Sequence, residues 1–260
     1  MNEVYTLKYT ESGLIFMDGG DNCEKVVDAM IVSGYDEEFC IGLDWDPLFI
    51  SRLMKAGFLV MSVTLSADED NTDAAENSVN QSIDLVLPKL HLIRSALFFE
   101  NLHIKHSIRP YLTRYELRFD TDFETIVNKC IQIHGEIWLT PSLLKSIFSL
   151  RDENILPGER KLPVLSPAVF PQPVSFSLYR DGILKAGEFG VICGRVYTSY
   201  SGFKTENNAG TVQMILMVHA LEKAGFDFLD FGMPLDYKTD LGAMNISPEE
   251  FVKIFRLAQI

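Results

Sequence analysis

The chain has no run of eighteen uncharged apolar residues, and Met1 to Thr10 lacks a basic start followed by an apolar block. The first absence argues against a spanning helix and the second against a secretory leader, so the expectation is a cytoplasmic protein with no membrane partner. Cysteine is sparse. Cys23, Cys40, Cys130 and Cys193 stand far apart without a C-x-x-C, which suggests neither a zinc ribbon nor a disulfide framework and makes buried free thiols the default, with no metal expected. Positive charge is short as well: 23 Lys and Arg face 36 Asp and Glu, a formal net charge of −13. That balance argues against a broadly basic nucleic-acid surface, and DNA is not an expected partner; any RNA contact has to be regional. What is present is ordinary globular material, 260 residues with 47% hydrophobic and 11% aromatic content, enough for a substantial core and two lobes.

Two segments interrupt the pattern. "SADEDNTDAAENSVNQS" at 66–82 is acidic and polar and cannot repay the entropy of packing, so it reads as a mobile loop. "RDENILPGERKLPVLSPAVFPQP" at 151–173 carries five prolines, a density that excludes helix interiors and central strands. Residues 1–85 are expected to form a small N-terminal lobe ending in the acidic loop, and 86–260 a larger domain containing the proline-rich segment.

Within the lobe, Asp46-Pro47 opens the helix "LFISRLMKAG", which closes at Gly57. In the larger domain "YELRF" at 115–119 reads as a strand, followed by a helix over about 122–134 and another opening at Thr140-Pro141. "VSFSLY" at 174–179 alternates, Asp181-Gly182 signals a type I′ hairpin, and "ILKAGEFGVICG" returns before "RVYTSY" continues the meander. Asn208 is placed to cap a helix that is apolar nearly all round and stops at Gly225. "FDFLDFGM" is a further strand, and Ser247-Pro248-Glu249-Glu250 opens a final helix.

Hairpin, strand, helix, strand, helix is the order of an α+β fold similar to the acyl-CoA N-acyltransferase (GNAT-like) core, a mixed sheet flanked by helices. Acetyl-CoA enzymes of that fold place an R/Q-x-x-G-x-G/A loop before the central helix to hold pyrophosphate on backbone N–H groups. Here the position reads "SGFKTENNAG", so acetyl-CoA is not the expected donor and no cofactor is expected.

"GRVYTSYSGFKTENNAG" at 194–210 resembles, without a gap, the pattern G-R-V-F-F-G-E-S-M-F-S-x-x-x-N-A-S of the leucyl/phenylalanyl-tRNA-protein transferase family. "FLDFGMPLDYKTDLGAMNISPEEF" resembles that family's L-I-D-x-Q-x-x-x-x-H-x-x-S-L-G-A-x-x-I-P-R-x-x-F/Y. "LHIKHS" at 102–107, "IWLT" at 137–140 and "LDWDPLFISRLMKAGFL" add shorter similarities, so the resemblance runs from Asp44 onward.

The resemblance implies an enzyme that moves Leu or Phe from aminoacyl-tRNA to the N-terminal amine of a protein beginning with Arg or Lys, the chemistry of N-end-rule protein degradation. Ester aminolysis needs a neutral amine near the ester carbonyl, a polar group to orient it and donors for the developing oxyanion. Asp230 falls on the family's strand-end aspartate and becomes the candidate catalytic residue; its ordinary structural alternative is a carboxylate accepting N–H bonds from its own loop. Tyr200 replaces the family's glutamate, Gly232 its glutamine and Tyr237 its late histidine, while Met54 and Met61 stand where pocket aromatics are expected. With Trp138, Phe203 and Asn208, these residues Tyr200, Gly232, Met54 and Met61 complete the candidate substrate site, although the methionines also read as core filler, Phe203 as core and Asn208 as a helix cap.

The locally basic segment 88–118 supplies Lys89, Arg94, Lys105 and Arg109 as RNA-facing candidates, with solvated surface as their bland alternative. His103 and His106 lack a ligand pattern around them. Three functions remain open at this point: the family's transfer with an adapted pocket, a divergent acyl or aminoacyl transfer with another donor or acceptor, and a catalytically silent peptide- or protein-binding module.

Overall fold

The computed structural model describes residues 5–66, 82–135, 137–151 and 164–259. The interior of the expected acidic loop and residues 152–163 of the proline-rich segment lie outside them. The chain opens with β1 (Ile15–Phe16), α1 (Cys23–Ser33), β2 (Cys40–Ile41), α2 (Pro47–Lys55), β3 (Leu59–Ser66) and β4 (Ser82–Lys89). It continues with β5 (Arg94–Phe98), β6 (Glu116–Phe119), α3 (Phe123–His134), α4 (Pro141–Ser149), β7 (Ala168–Arg180), β8 (Ile183–Gly194) and β9 (Val196–Lys204). α5 (Ala209–Lys223), β10 (Phe228–Gly232), α6 (Asp236–Asp240), β11 (Met244–Ile246) and α7 (Pro248–Leu257) complete it.

Local chemistry sets the element ends. Asp46 and Ser247 accept from the N–H groups of Leu48 and Glu250, each such cap stabilising its helix by about 1 kcal/mol. Asp181 and Gly182 both take positive φ, 53° and 74°, as the expected hairpin turn requires. Asn208 occupies the N-cap of α5 with φ 67°, but its side chain makes no capping bond, so the expected side-chain cap is corrected to a backbone role, its carbonyl accepting from Val212.

Seven strands form one mixed sheet in the order β11-β5-β10-β9-β8-β7-β6. β9 and β10 are its one parallel pair, and the remaining neighbours run antiparallel. An antiparallel meander followed by a helix crossover into a parallel strand is the GNAT-like arrangement expected from the sequence. The proline-rich segment does enter strand, since β7 includes Pro171 and Pro173, but not the doubly paired strand interior that proline was expected to exclude. β6 reaches β7 only from Phe176 to Tyr179, so the prolines sit where β7 has an open edge and a missing N–H costs no ladder bond.

The sheet carries a core on each face. On one, α5 contributes Val212, Ile215, Val218 and Leu221 against Phe176, Ile192, Tyr197 and Leu229. Its outer side is covered by the 99–114 segment, which explains a helix apolar nearly all round. On the other face, α3, α4 and the N-terminal elements pack with Phe189, Val191, Val196 and Phe228. The β3–β4 ladder runs to Lys89, so Val86 to Lys89 pair with the N-terminal lobe. Among the described residues no helix is long and apolar enough to cross a membrane.

Candidate active site

The parallel ladder between β9 and β10 ends at the pair Thr198 and Asp230. A register shift between Asp230 and Gly232 on β10 and another opposite Tyr200 on β9 open the two strands beyond it. A split of this kind exposes side chains from both strand ends to one space, the usual position for ligand chemistry in an open mixed sheet.

On the α3 face of the split Asp230 is fully buried. Its Oδ1 accepts from Arg94 Nε at 2.8 Å and Gly232 N at 2.9 Å, and its Oδ2 from Arg94 at 2.6 Å and Thr198 Oγ1 at 2.9 Å. Burial alone would raise its pKa, but the Arg94 charge and the bonds from Arg94, Gly232 and Thr198 outweigh that and hold the carboxyl below its ordinary value. With two bonds on each oxygen, the carboxylate is committed to the protein. The expected direct role of Asp230 toward an incoming amine is therefore corrected to positioning, close to its structural alternative, which had foreseen the loop N–H of Gly232 but not the arginine.

Arg94 is 1% exposed and lies over the Phe251 ring at 4.2 Å. It is corrected from RNA-facing surface to the cation of this buried pair, held in a bidentate fork. Its NH1 lies 3.1 Å from His91 Nδ1; as arginine only donates, that nitrogen accepts and Nε2 carries the ring proton. Burial first, then the Arg94 charge, pushes His91 down to about 2. The neutral ring lies against Gly232, where an added Cβ would meet Nε2 at 3.8 Å. Gly232 itself has φ +69°, a left-handed conformation that favours glycine.

Beside this pair stands an aromatic wall. Trp138 and Phe189 stack with centroids 6.5 Å apart and planes 9° apart, and Tyr200 closes the group at 6.1 Å from Phe189. β3 fastens it: Val60 N donates to Tyr200 Oη at 3.3 Å, and Ser62 N and Oγ both donate to the Trp138 carbonyl. Burial pushes the Tyr200 phenol up, so the hydroxyl stays protonated. Met61 is half-buried on β3 between these anchors.

Other expected site residues fall elsewhere. Met54 is 4% exposed among the α2 core residues, the core-filler reading. Phe203 takes the core reading and not the pocket-wall one: it is 6% exposed, and a Cβ at Gly187 would meet both its ring and Ile126. Lys89 is paired with Glu38 at 3.1 Å and sits over Phe39, which withdraws it from RNA. Lys105 and Arg109 are exposed, Lys105 pairing with Asp240 at 2.5 Å. A cavity of about 700 Å³ lined by Trp45, Thr64, Asp84 and Ser142 lies in the β3–β4 region, away from the split.

The opposite side of the split brings in groups the sequence reading missed. Lys238 on α6 is 6% exposed and donates to the carbonyls of Phe231 and Met233, both at 2.8 Å. Burial lowers it to about 8. Glu188 on β8 is also buried. Strand alternation alone would have placed it inside, because the neighbouring "ILKAGEFGVICG" is apolar on both sides of it. Arg94 carried a similar signal, an arginine within the apolar run "LIRSALFF".

A family model described as leucyl/phenylalanyl-tRNA protein transferase matches residues 96–256, a span that contains Trp138, Glu188, Thr198, Tyr200 and Asp230. The leucyl/phenylalanyl-tRNA–protein transferase of Azotobacter vinelandii is 28% identical over 163 residues, 61% of this chain and 65% of the relative. That of Christiangramia forsetii is 28% identical over 168 residues, 62% of this chain and 71% of the relative. The chain thus spans just under two thirds of the length of the Azotobacter protein. Among solved structures, a GCN5-related N-acetyltransferase from Kribbella flavida aligns with TM-score 0.36 and 12% identity, covering 90% of this chain and 75% of that one. At that score the likeness carries no argument about this chain.

Proposed function

The chain belongs to the leucyl/phenylalanyl-tRNA protein transferase family, and from that premise we propose that it transfers an amino acid of the Leu or Phe type from aminoacyl-tRNA to the N-terminal amine of a protein. The observation that carries this reading is the split itself: an apolar aromatic wall and a locked carboxylate–guanidinium pair meet where β9 and β10 part.

The attacking amine nitrogen forms a bond to the ester carbonyl carbon, and the bond from that carbon to the ribose oxygen of the tRNA breaks. Trp138 and Tyr200, half-buried and backed by the buried Phe189, offer an apolar surface for a Leu or Phe side chain. Asp230 holds Arg94, and Arg94 fixes the His91 tautomer, so the polar floor of the site is set before substrate arrives. The net charge of −13 favours a cationic acceptor terminus, Arg or Lys. Lys105 and Arg109 are the exposed cations left to meet the RNA backbone. The reaction needs no cofactor in this reading, and the absence of a membrane-spanning helix among the described residues fits a cytoplasmic substrate.

The test is transfer of radiolabelled Leu or Phe from charged tRNA to a protein with N-terminal Arg or Lys, at low and physiological salt. Labelling that disappears when the acceptor amine is acetylated supports the function; no labelling at either salt overturns it. A second reading, the same transfer with another amino acid or acceptor, is favoured by Tyr200, whose ring narrows the aromatic wall, and by Gly232, which supplies only backbone. Mass-spectrometric screening of products across charged tRNAs separates the two.

A further inference from the structure

Two buried carboxyl groups flank the strand split, and their surroundings differ. Asp230 is saturated by four hydrogen bonds and a guanidinium. Glu188 Oε1 has no hydrogen-bond partner among the described residues, although the atom is fully enclosed. An enclosed, unsatisfied carboxyl oxygen costs stability, and a chain that keeps one beside its strand split is holding it for chemistry.

The enclosure is built rather than accidental. Glu188 lies on β8 opposite Gly202 of β9, where an added Cβ would stand 3.3 Å from the Glu188 Cβ. Two residues along β8, a Cβ at Gly190 would stand 2.7 Å from the Tyr197 hydroxyl oxygen, so the glycine is what admits that phenol to the same face. The Tyr197 hydroxyl makes no well-aligned hydrogen bond among the described residues, yet it stands close enough to Glu188 for each to shift the other. The groups whose charge or hydroxyl acts on Glu188 are Tyr197 and Ser199 from β9 and Lys238 from α6. Tyr237 on α6 and Cys130 on α3 feel its charge in turn, and β7 faces it with Phe176. Ser199 is the first β9 residue past the last parallel pair, so this enclosed polar nest lies beside the split on the side opposite the aromatic wall, with Lys238 across it on the carbonyls of β10.

We infer that Glu188 is the proton acceptor for the attacking amine, a role that rests on the aminoacyl-transfer reading above. Starting from the neutral amine, nitrogen bonds to the ester carbon and the carbon–ribose oxygen bond breaks. The proton released by nitrogen passes to Glu188 Oε1 and then to the ribose oxygen, which returns the carboxylate to its starting form. Burial pushes Glu188 up to about 7, with Ser199, Tyr197 and Lys238 pulling it back. A base of that strength is suited to accept and return a proton near neutrality. Lysine and tyrosine neighbours titrate higher, and the acceptor amine loses its own proton at about pH 8 on the same limb, so Glu188 is read from the difference between wild type and Glu188→Gln.

The test compares wild type, Glu188→Gln and Glu188→Asp. Transfer is measured from pH 5.5 to 9, and binding of a peptide with N-terminal Arg is measured by calorimetry in buffers of different ionisation enthalpy. Expected is a wild-type kcat/KM that rises through about pH 7. Glu188→Gln then loses about 10²-fold or more and keeps only the limb set by the amine at about pH 8, and Glu188→Asp recovers part of both. The amine's own proton is exchanged with buffer when the peptide binds to either protein, and the amount exchanged at about pH 7 differs between wild type and Glu188→Gln. A Glu188→Gln enzyme with an unchanged rate and pH limb overturns the inference, as does unchanged proton exchange. Proton exchange on peptide binding that Glu188→Gln alters, in a protein that transfers no Leu or Phe, leaves Glu188 standing and overturns the donor assignment. A peptide that does not bind overturns Glu188.

Discussion

Replacing Asp230 with asparagine tests the centre of the site as a matter of stability before any substrate is involved. The carboxylate and the Arg94 guanidinium are 0% and 2% exposed in their side chains and meet at 2.6 Å. Asparagine is nearly the same size but removes the charge and one of the two acceptor oxygens facing the arginine. The guanidinium is then left enclosed between the amide and Phe251, an uncompensated buried charge that costs about 3–5 kcal/mol. For a chain of this length each kcal/mol lowers Tm by about 2–4 °C, so the variant should melt roughly 6–20 °C below wild type. Replacing the pair together, Asp230→Leu with Arg94→Met, removes both charges and should recover most of the loss. The pH dependence has a definite sign. Because the folded carboxyl is held below its ordinary value of 3.8, its contribution is present above that value and fades as pH falls through the lower folded one. The gap between wild type and Asp230→Asn should therefore close only in strong acid. Denaturant titration at neutral pH and at pH 3 measures both effects; a neutral-pH difference below about 1 kcal/mol would refute the buried-pair account.

His91, ordinarily 6.5 and pushed to about 2, binds a proton when unfolded but not when folded across that interval. Stability should therefore fall as pH drops below about 6.5, and His91→Phe should remove up to one proton from the slope of stability against pH. Burial drives Cys23 up to about 11 and Cys130 and Cys193 to about 12, so a thiol reagent at pH 8 should label the native chain slowly and all four cysteines only after unfolding. Trp138→Ala opens the aromatic wall and should raise KM for the aminoacyl donor about tenfold or more, measured in the transfer assay with the acceptor saturating. Arg109→Glu should weaken tRNA binding for every tRNA alike and lower the salt slope by about 1; an unchanged slope would remove Arg109 from the RNA surface.

Much of the framework was legible because local signals and the long-range pattern agree. The Asp181-Gly182 turn, the capped start at Ser247 and the alternation of "VSFSLY" each speak within a few residues, and the structure follows them. The short strands β5, β10 and β11 are bound by partners far away in the chain, and residues 94–98 carry no signal that they pair with both 228–232 and 244–246. The site divides the same way. Asp230 stood out as a carboxylate in an apolar strand, but its partner is 136 residues away, so charge alone sent Arg94 to the surface. Met54 and Phe203 carried both a pocket and a core reading because size and hydrophobicity do not distinguish a wall from a core. Glu188 was missed although the apolar residues on both sides of it place it inside, because that signal does not say that it lies beside the split or that Tyr197 and Lys238 stand near it.

The position of β5 has a consequence for how the protein is made. It lies between β10 and β11, and its first partner, Phe98 with Phe228, joins residues 130 positions apart. At about 5–20 residues per second, synthesis leaves roughly 6 to 26 s in which Ala96 and Leu97 have emerged without the strands that cover them. During that interval the nascent chain exposes an apolar strand edge, the feature that invites mispairing and chaperone capture. Refolding of the full-length chain should be slow for the same reason, limited by closure of these distant pairs.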